Sequence, residues 1–463
     1  MKSTIYATVS GLALLAASPA IAGTNTSTVT QSGSNSGSTV SQAGNADVAT
    51  INQSGATGSD SAVDQSGDGN HATVTQTDDG TGFDPTQSST VSQSGDNNSA
   101  TVTQTQKTSY GSAPGTKNTS NVDQQGNSNS ATLTQQDDDQ HSGILQTSDN
   151  NSATVSQGDN TAPEGTANGT TYGNSSSVTQ GGSGANSATV SQTGIYGTST
   201  VNQTGGSNDA SISQSGGEFN SSDIEQSGDS NNAIVGQSGN LNGSIVSQSA
   251  VGGIAHVNQD GDANTSTVDQ SSVGGGVTGG LTYGTTNSAY VEVSQVGDAN
   301  HSGVTQSGSS NFAFVSQVAS DNTSTVLQSG NSTYGHVTQT GTHNASTLNQ
   351  TGNVTNFDFS GITQSGDDNV SVVNQSGNGT VVFGPGNSVN SVQSGDRNNS
   401  LINQGGTDNQ VDLLQSGDDN ISTITQGGAL NQAIVTQSSS GNMSTVDQSG
   451  SGNLATVTQG GGL

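Results

Sequence analysis

The sequence contains no cysteine and no tryptophan, and in 463 residues it sets four lysines and arginines against 35 aspartates and glutamates. Each shortage excludes something. Without cysteine there is neither a disulfide framework nor a thiolate metal site. Beyond residue 22 the lysines and arginines are Lys107, Lys117 and Arg397. So few cations cannot line a groove for nucleic acid or hold the chain to an anionic membrane. Hydrophobic residues are 26% of the chain and aromatics 3%, and no apolar run is long enough to cross a bilayer as a helix. With a formal net charge of -31, composition alone describes a disordered chain, because little apolar surface is available to offset the entropy of ordering.

What is present is order of another kind. The N-terminus carries Lys2, an apolar run over 11–17, Pro19 and then Ala20-Ile21-Ala22, the pattern of a secretory signal peptide over 1–22. A mature, exported chain is expected over 23–463. Along that region a glutamine closes a Val-x-Gln or similar segment at 35 positions from Gln31 to Gln459, and 25 of the 34 intervals are eleven residues long. Counted from the opening glutamine, offset 9 is aliphatic in all 25 of these units, offset 7 is Ala or Ser in 23, offset 2 is Gly in 20 and offset 5 is Asn in 19. A low-complexity tract has no reason to keep such phase.

Offsets 5, 7, 9 and 11 are spaced by two, which places them on one face of a β-strand. In the unit that opens at Gln93 they are Asn98, Ala100, Val102 and Gln104. The residues between face outward and are polar or β-branched, while Ser94-Gly95-Asp96-Asn97 forms the turn, with Gly supplying backbone angles that other residues resist. Ordering one such unit costs on the order of 15 kcal/mol for the burial of one Val and one Ala, so no unit stands alone. Two consecutive units make a 22-residue strand-turn-strand rung. Rungs stacked about 4.8 Å apart then set Val on Val, Asn on Asn and Gln on Gln, with side-chain amides hydrogen-bonded in ladders. The expected fold is all-β, a two-sheet β-solenoid of cross-β character with about 17 rungs.

Longer intervals fall near 77–87, 105–118, 158–174, 271–288, 351–357 and 376–386, all on the turn side, and they hold Pro85, Pro114, Pro163 and Pro385, where a missing N–H interrupts no ladder. Lys107, Lys117 and the aromatics Tyr110, Tyr172 and Tyr283 lie in them too. Val392 is one position out of phase, and a bulge is expected there.

The repeat resembles the curlin repeat, the unit of the curli fibre subunits of bacterial biofilms, whose motif is S-x5-Q-x-G-x2-N-x-A-x3-Q. Gln65, Gly67, Asn70, Ala72 and Gln76 match its second part in phase, as do Gln226, Gly228, Asn231, Ala233 and Gln237, and Gln448, Gly450, Asn453, Ala455 and Gln459. In that family Ser and Asn begin alternate strands, whereas here Asn begins most of them. The resemblance covers roughly 24–460. It implies an exported amyloid subunit, passed through an outer-membrane secretion pore and assembled outside the cell with a nucleator subunit.

The residues expected to carry self-assembly are the ladder positions Gln65, Asn70, Gln76, Gln93, Asn98, Gln104, Gln226, Asn231, Gln237, Gln448, Asn453 and Gln459, with the turn glycines Gly67, Gly95, Gly228 and Gly450. Asp occupies offset 3 in ten units, including Asp68, Asp96, Asp229, Asp262, Asp298, Asp367, Asp396 and Asp418. Stacked, these could ligate calcium, as in β-rolls of nine-residue period. The period here is eleven and the Asp irregular, so they read as turn formers and as gatekeepers whose repulsion slows assembly. Thr occupies both outward offsets 8 and 10 in only five units, too few for a regular ice-binding array. His71, His141, His256, His301, His336 and His343 have no paired ligand spacing, no base-and-orienter set accompanies the many serines, and neither a metal, a cofactor nor an enzyme activity is expected. The expected function is that of a self-assembling fibre subunit in biofilm matrix and adhesion at the bacterial cell surface. The alternative is a soluble or surface-tethered monomeric solenoid adhesin.

Overall fold

A strand with one apolar face must find a second such face to bury it. The computed structural model describes residues 24–78, 87–106, 117–136, 139–158, 173–271, 289–377 and 386–460, and in these the repeats form 35 strands and no helix. We number them in chain order, from β1 (Thr26–Ser34) and β2 (Gly37–Ala43) to β34 (Met443–Gln448) and β35 (Leu454–Gln459). Odd strands form one parallel sheet of 18 and even strands a second of 17. Each strand pairs with those two before and two after it. Thus β11 (Ser152–Gln157) lies on β13 (Ser187–Gln192) with Val155 opposite Val190 and Gln157 opposite Gln192. Like stacks on like because one full rung of the coil separates them.

The inward rows meet between the sheets. In β7 (Ser99–Gln106) Ala100, Val102 and Gln104 are buried and the residues between them are partly or fully exposed. Val, Ile and Leu from both sheets form one continuous core, including Val74, Val91, Val235, Val246 and Ile424. Full burial of each such side chain is worth about 1.5–3 kcal/mol, and the repeat supplies one per strand.

Three features depart from the sequence reading. Offset 7 is not one mixed position. In the even sheet it is Ser in every strand, from Ser38 and Ser61 to Ser444, whereas the odd sheet carries mainly Ala, as in Ala72, Ala100, Ala233 and Ala433. At β29 (Ser388–Gln393) there is no bulge: the strand stays in register with its neighbours, Ser391 takes the inward place and Val392 faces outward. Register shifts occur instead at Ser32/Ser34, between β1 and β3 (Val48–Thr57), and at Asn331/Thr333, between β25 (Asn331–Gln339) and β27 (Asn353–Gln364). Of the additional residues at 351–357, those from Asn353 onward form the start of β27.

The turn glycines divide: Gly67 (φ 115°) and Gly450 (φ 93°) take the positive φ expected of them, whereas Gly95 and Gly228 have a different physical reason. Gly95 and Gly228 are not in the left-handed region; that conformation falls two residues later, at Asn97 (φ 57°) and Ser230 (φ 58°). What Gly95 and Gly228 cannot accept is a Cβ, which would stand 2.1 Å from the Gly126 carbonyl oxygen and 1.7 Å from that of Ala250, each in the adjoining rung. Close stacking of turns along the axis excludes every other residue there.

The signal segment 1–22, the four prolines outside it, Lys107, Tyr110, Tyr172 and Tyr283 lie outside the described residues.

Candidate functional site: axial ladders and end rungs

Glutamine at the end of each strand has an amide long enough to reach the same amide one rung away. Nε2 of each donates to Oε1 of the next at 2.6–3.1 Å, without interruption from Gln31 to Gln459 in the odd sheet and from Gln42 to Gln448 in the even sheet. Gln65, Gln76, Gln93, Gln104, Gln226 and Gln237 are interior members and buried. Their second amide hydrogen crosses to the other sheet: Gln76 donates to the Asp60 carbonyl, Gln104 to that of Ser88 and Gln237 to that of Ser221. A glutamine thus ties rung to rung and sheet to sheet, which periodicity could not reveal.

The asparagine row works differently. Its shorter side chain does not reach the next amide in most rungs. Instead Oδ1 accepts the backbone N–H of the asparagine in the adjoining rung, as Asn70 does from Asn98, Asn98 from Asn129 and Asn208 from Asn231. Nδ2 of Asn70 and Asn231 then donates to turn carbonyls, those of Gly95 and Ala250. Amide-to-amide bonds are found near the C-terminal rungs, including Asn453 to Asn431. These buried donors and acceptors fix the height of each turn.

The turn aspartates join the same scheme. Oδ1 of Asp96 accepts the backbone N–H of Asp68, that of Asp298 accepts from Asp262, and Asp367, Asp396 and Asp418 form a continuous run in which each takes the N–H of the rung before. Asp229 and Asp262 accept from Gly206 and Asn240. The Thr342 backbone N–H holds the Asp367 carboxyl below its usual value. Histidines are scattered: His71, His141 and His301 face outward, His343 stands 3.6 Å from Asp321, and His256 and His336 lie on an aromatic face. No group of three or more metal-ligating side chains occurs among the described residues.

The ladders have direction, so the two ends differ. At the first rung, among the described residues, no lower glutamine donates to Gln31 or Gln42. At the last, Gln459 gives one amide hydrogen to the Met443 carbonyl, and among the described residues no further glutamine accepts the other. The Gln448 amide is bound to the carbonyls of Gln432 and Asn453. Core positions surface here too: Val29 is 45% exposed, and Ala455 and Val457 are only half-buried.

Compared with known proteins, residues 217–249, 286–318, 406–438 and 428–461 match the family model of the curlin-associated repeat. The chain therefore carries curlin-associated repeats in its central and C-terminal parts. No curated protein matches it.

Proposed function

We propose that this chain is a structural subunit that stacks end to end into extracellular cross-β fibres of the curli type, serving biofilm matrix and surface adhesion. The supporting observation is the pair of one-way glutamine ladders, which run through every rung and stop, among the described residues, at exposed rungs with acceptors at β1 and β2 and a donor at β35. A second copy in the same direction meets acceptor with donor and strand edge with strand edge. The curlin-associated repeats agree with this, since their family is structural, extracellular and surface-associated. On this reading the partners are further copies of the chain, a nucleating subunit and an outer-membrane secretion pore. Catalysis, nucleic-acid binding and membrane insertion have no place in it.

One observation favours the adhesin alternative: 35 strands already complete a two-sheet stack with a continuous core inside one chain. The test follows freshly desalted protein by thioflavin fluorescence and sedimentation, with and without preformed seeds. A lag abolished by seeds and ending in pelletable fibres is expected. A soluble monomer with β-type circular dichroism and no seeded growth overturns the fibre reading in favour of the adhesin.

A further inference from the structure

Most outward positions of this solenoid are Ser, Thr or Asn. Among the described residues, aromatic rings on outward strand positions gather in one region. On the odd sheet, β21 (Tyr290–Val296), β23 (Phe312–Val318), β25 and β27 place apolar rings on successive rungs, and β17 (Asn232–Ser238) and β19 (Ile254–Asp260) continue the face with Ile234, Ile254 and His256. Register sets Tyr290 opposite Phe312, Phe312 opposite Tyr334 and Tyr334 opposite Phe359. Ring centroids are 5.4 Å apart for Tyr290 and Phe314, 5.4 Å for Phe314 and Tyr334, and 4.9 Å for the stacked Tyr334 and Phe359. Five of the seven Phe and Tyr side chains that the structure describes are on this face. Ile234 at 42%, Val318 at 41% and Phe359 at 44% exposure extend it to both sides.

We propose that this face is a lateral interface, where a second copy of the chain docks side by side, sheet against sheet. The idea is independent of end-to-end stacking. Three features select a second copy as the occupant. A two-fold brings the same strip onto itself, so its rings can interleave with their own kind without a complementary partner surface. Six strands about 4.8 Å apart and about 20 Å long present on the order of 600 Å² per copy, or about 1,200 Å² for the pair, which reaches the lower bound of specific interfaces. Charge limits which rungs can meet. Two chains of net charge -31 repel, and rungs elsewhere turn carboxylates outward in pairs, at Asp60 and Asp64 in β4 (Asp60–Ser66) and at Asp223 and Glu225 in β16 (Ser221–Gln226). Within the aromatic strip the carboxylates are Glu292 and Asp260, each already hydrogen-bonded, to the Tyr290 hydroxyl and to Ser238. Like-charged copies approach at lower cost here than at those rungs, and the rings select this sheet over the opposite one.

The test compares the full chain with a triple variant, Phe312→Thr, Phe314→Thr and Tyr334→Thr, and with Val318→Glu, which places one added charge at the edge of the strip. Ile245→Thr, at an exposed position of the even sheet, is the control. Mass per length by scanning transmission microscopy is expected to equal two solenoids for the parent and the control. It should fall by half in the triple variant and in Val318→Glu, with circular dichroism unchanged. If the chain does not form fibres, sedimentation velocity reads the same contrast as a compact dimer against a monomer. A parent of single-solenoid mass, or a doubled mass that survives both sets of substitutions, overturns the proposal; so does a ligand that occupies the strip while the parent remains single.

Discussion

Asp358 occupies a place in the stack that asparagine fills in the rungs beyond it, at Asn387 and Asn409. One carboxylate oxygen accepts the Asn387 backbone N–H at 2.7 Å, while the other is buried with no partner among protein atoms. Burial pushes the carboxyl up to about 6 from 3.8, against the pull of that hydrogen bond, with Asp408 adding to the rise. The folded chain therefore keeps a proton that the unfolded chain releases between those values. Stability from this site is full below the unfolded value, declines as pH rises through the interval, and stays reduced above about 6. Asp358→Asn should remove the pH dependence and stabilise the surrounding rungs at pH 7 by about 3 kcal/mol. Amide hydrogen exchange of β25 and β27 at pH 4 and 7 checks this; equal protection in parent and variant at pH 7 would contradict it. The even-sheet serines pose a second residue-scale question. The hydroxyls of Ser61, Ser89, Ser222, Ser244 and Ser324 are buried without a protein partner. An unpaired buried hydroxyl costs about 1–3 kcal/mol, so Ser222→Ala should leave stability unchanged or raise it by about 1 kcal/mol, read as the urea midpoint.

At the scale of the element, the strand and its closing glutamine act together. Gln237→Leu keeps the side-chain volume but leaves the Gln214 amide hydrogen and the Gln259 Oε1 acceptor without their partners and takes the side-chain donor from the Ser221 carbonyl. A local loss of about 2–4 kcal/mol is expected, visible as hydrogen exchange in β15 (Asp209–Ser215) and β19 at denaturant concentrations where Ser222→Ala is fully protected. Equal protection would mean that the ladder contributes little. The strands themselves were legible from the sequence because a period of two is local: Asn98, Ala100, Val102 and Gln104 announce one face by themselves. The out-of-phase strand was misread for the same reason. Counting positions makes Val392 look displaced, yet strand pairing on both sides holds register and turns Ser391 inward, where it meets the hydroxyls of Ser371 and Ser400. Backbone ladders outweigh the burial of one valine.

For the whole molecule, acidity and stacking oppose each other. Carboxylates repeat along the turns, and among the described residues Arg397 meets Asp419 of the adjoining rung in a two-pronged bond at 2.7 and 2.9 Å. Joining two such chains brings like charges together, so the lag of assembly should shorten several-fold between about 0.05 M and 1 M salt as the screening length falls. Lowering pH from 7 toward 4 should act in the same direction. Rates that ignore both salt and pH would show that charge does not limit assembly. Fibre stability should move the other way at still lower pH, because the depressed Asp367 carboxyl contributes above its unfolded value and loses its Thr342 hydrogen bond as pH falls through the folded one.

The sequence by itself determined the strand, its inward face and the length of a rung, because each is set by spacing along the chain and by which residues can be buried together. Only the tertiary structure decided how the rows are used. It separates a serine-lined sheet from an alanine-lined one, sends the second glutamine hydrogen across to the opposite sheet, and assigns Gly95 and Gly228 to close axial packing of the turns. It also gathers Tyr290, Phe312, Phe314, Tyr334 and Phe359, spread over 70 positions, onto one face. Such pairings join residues 16 or 22 and more positions apart, and distance across a coil is a property of how rungs stack.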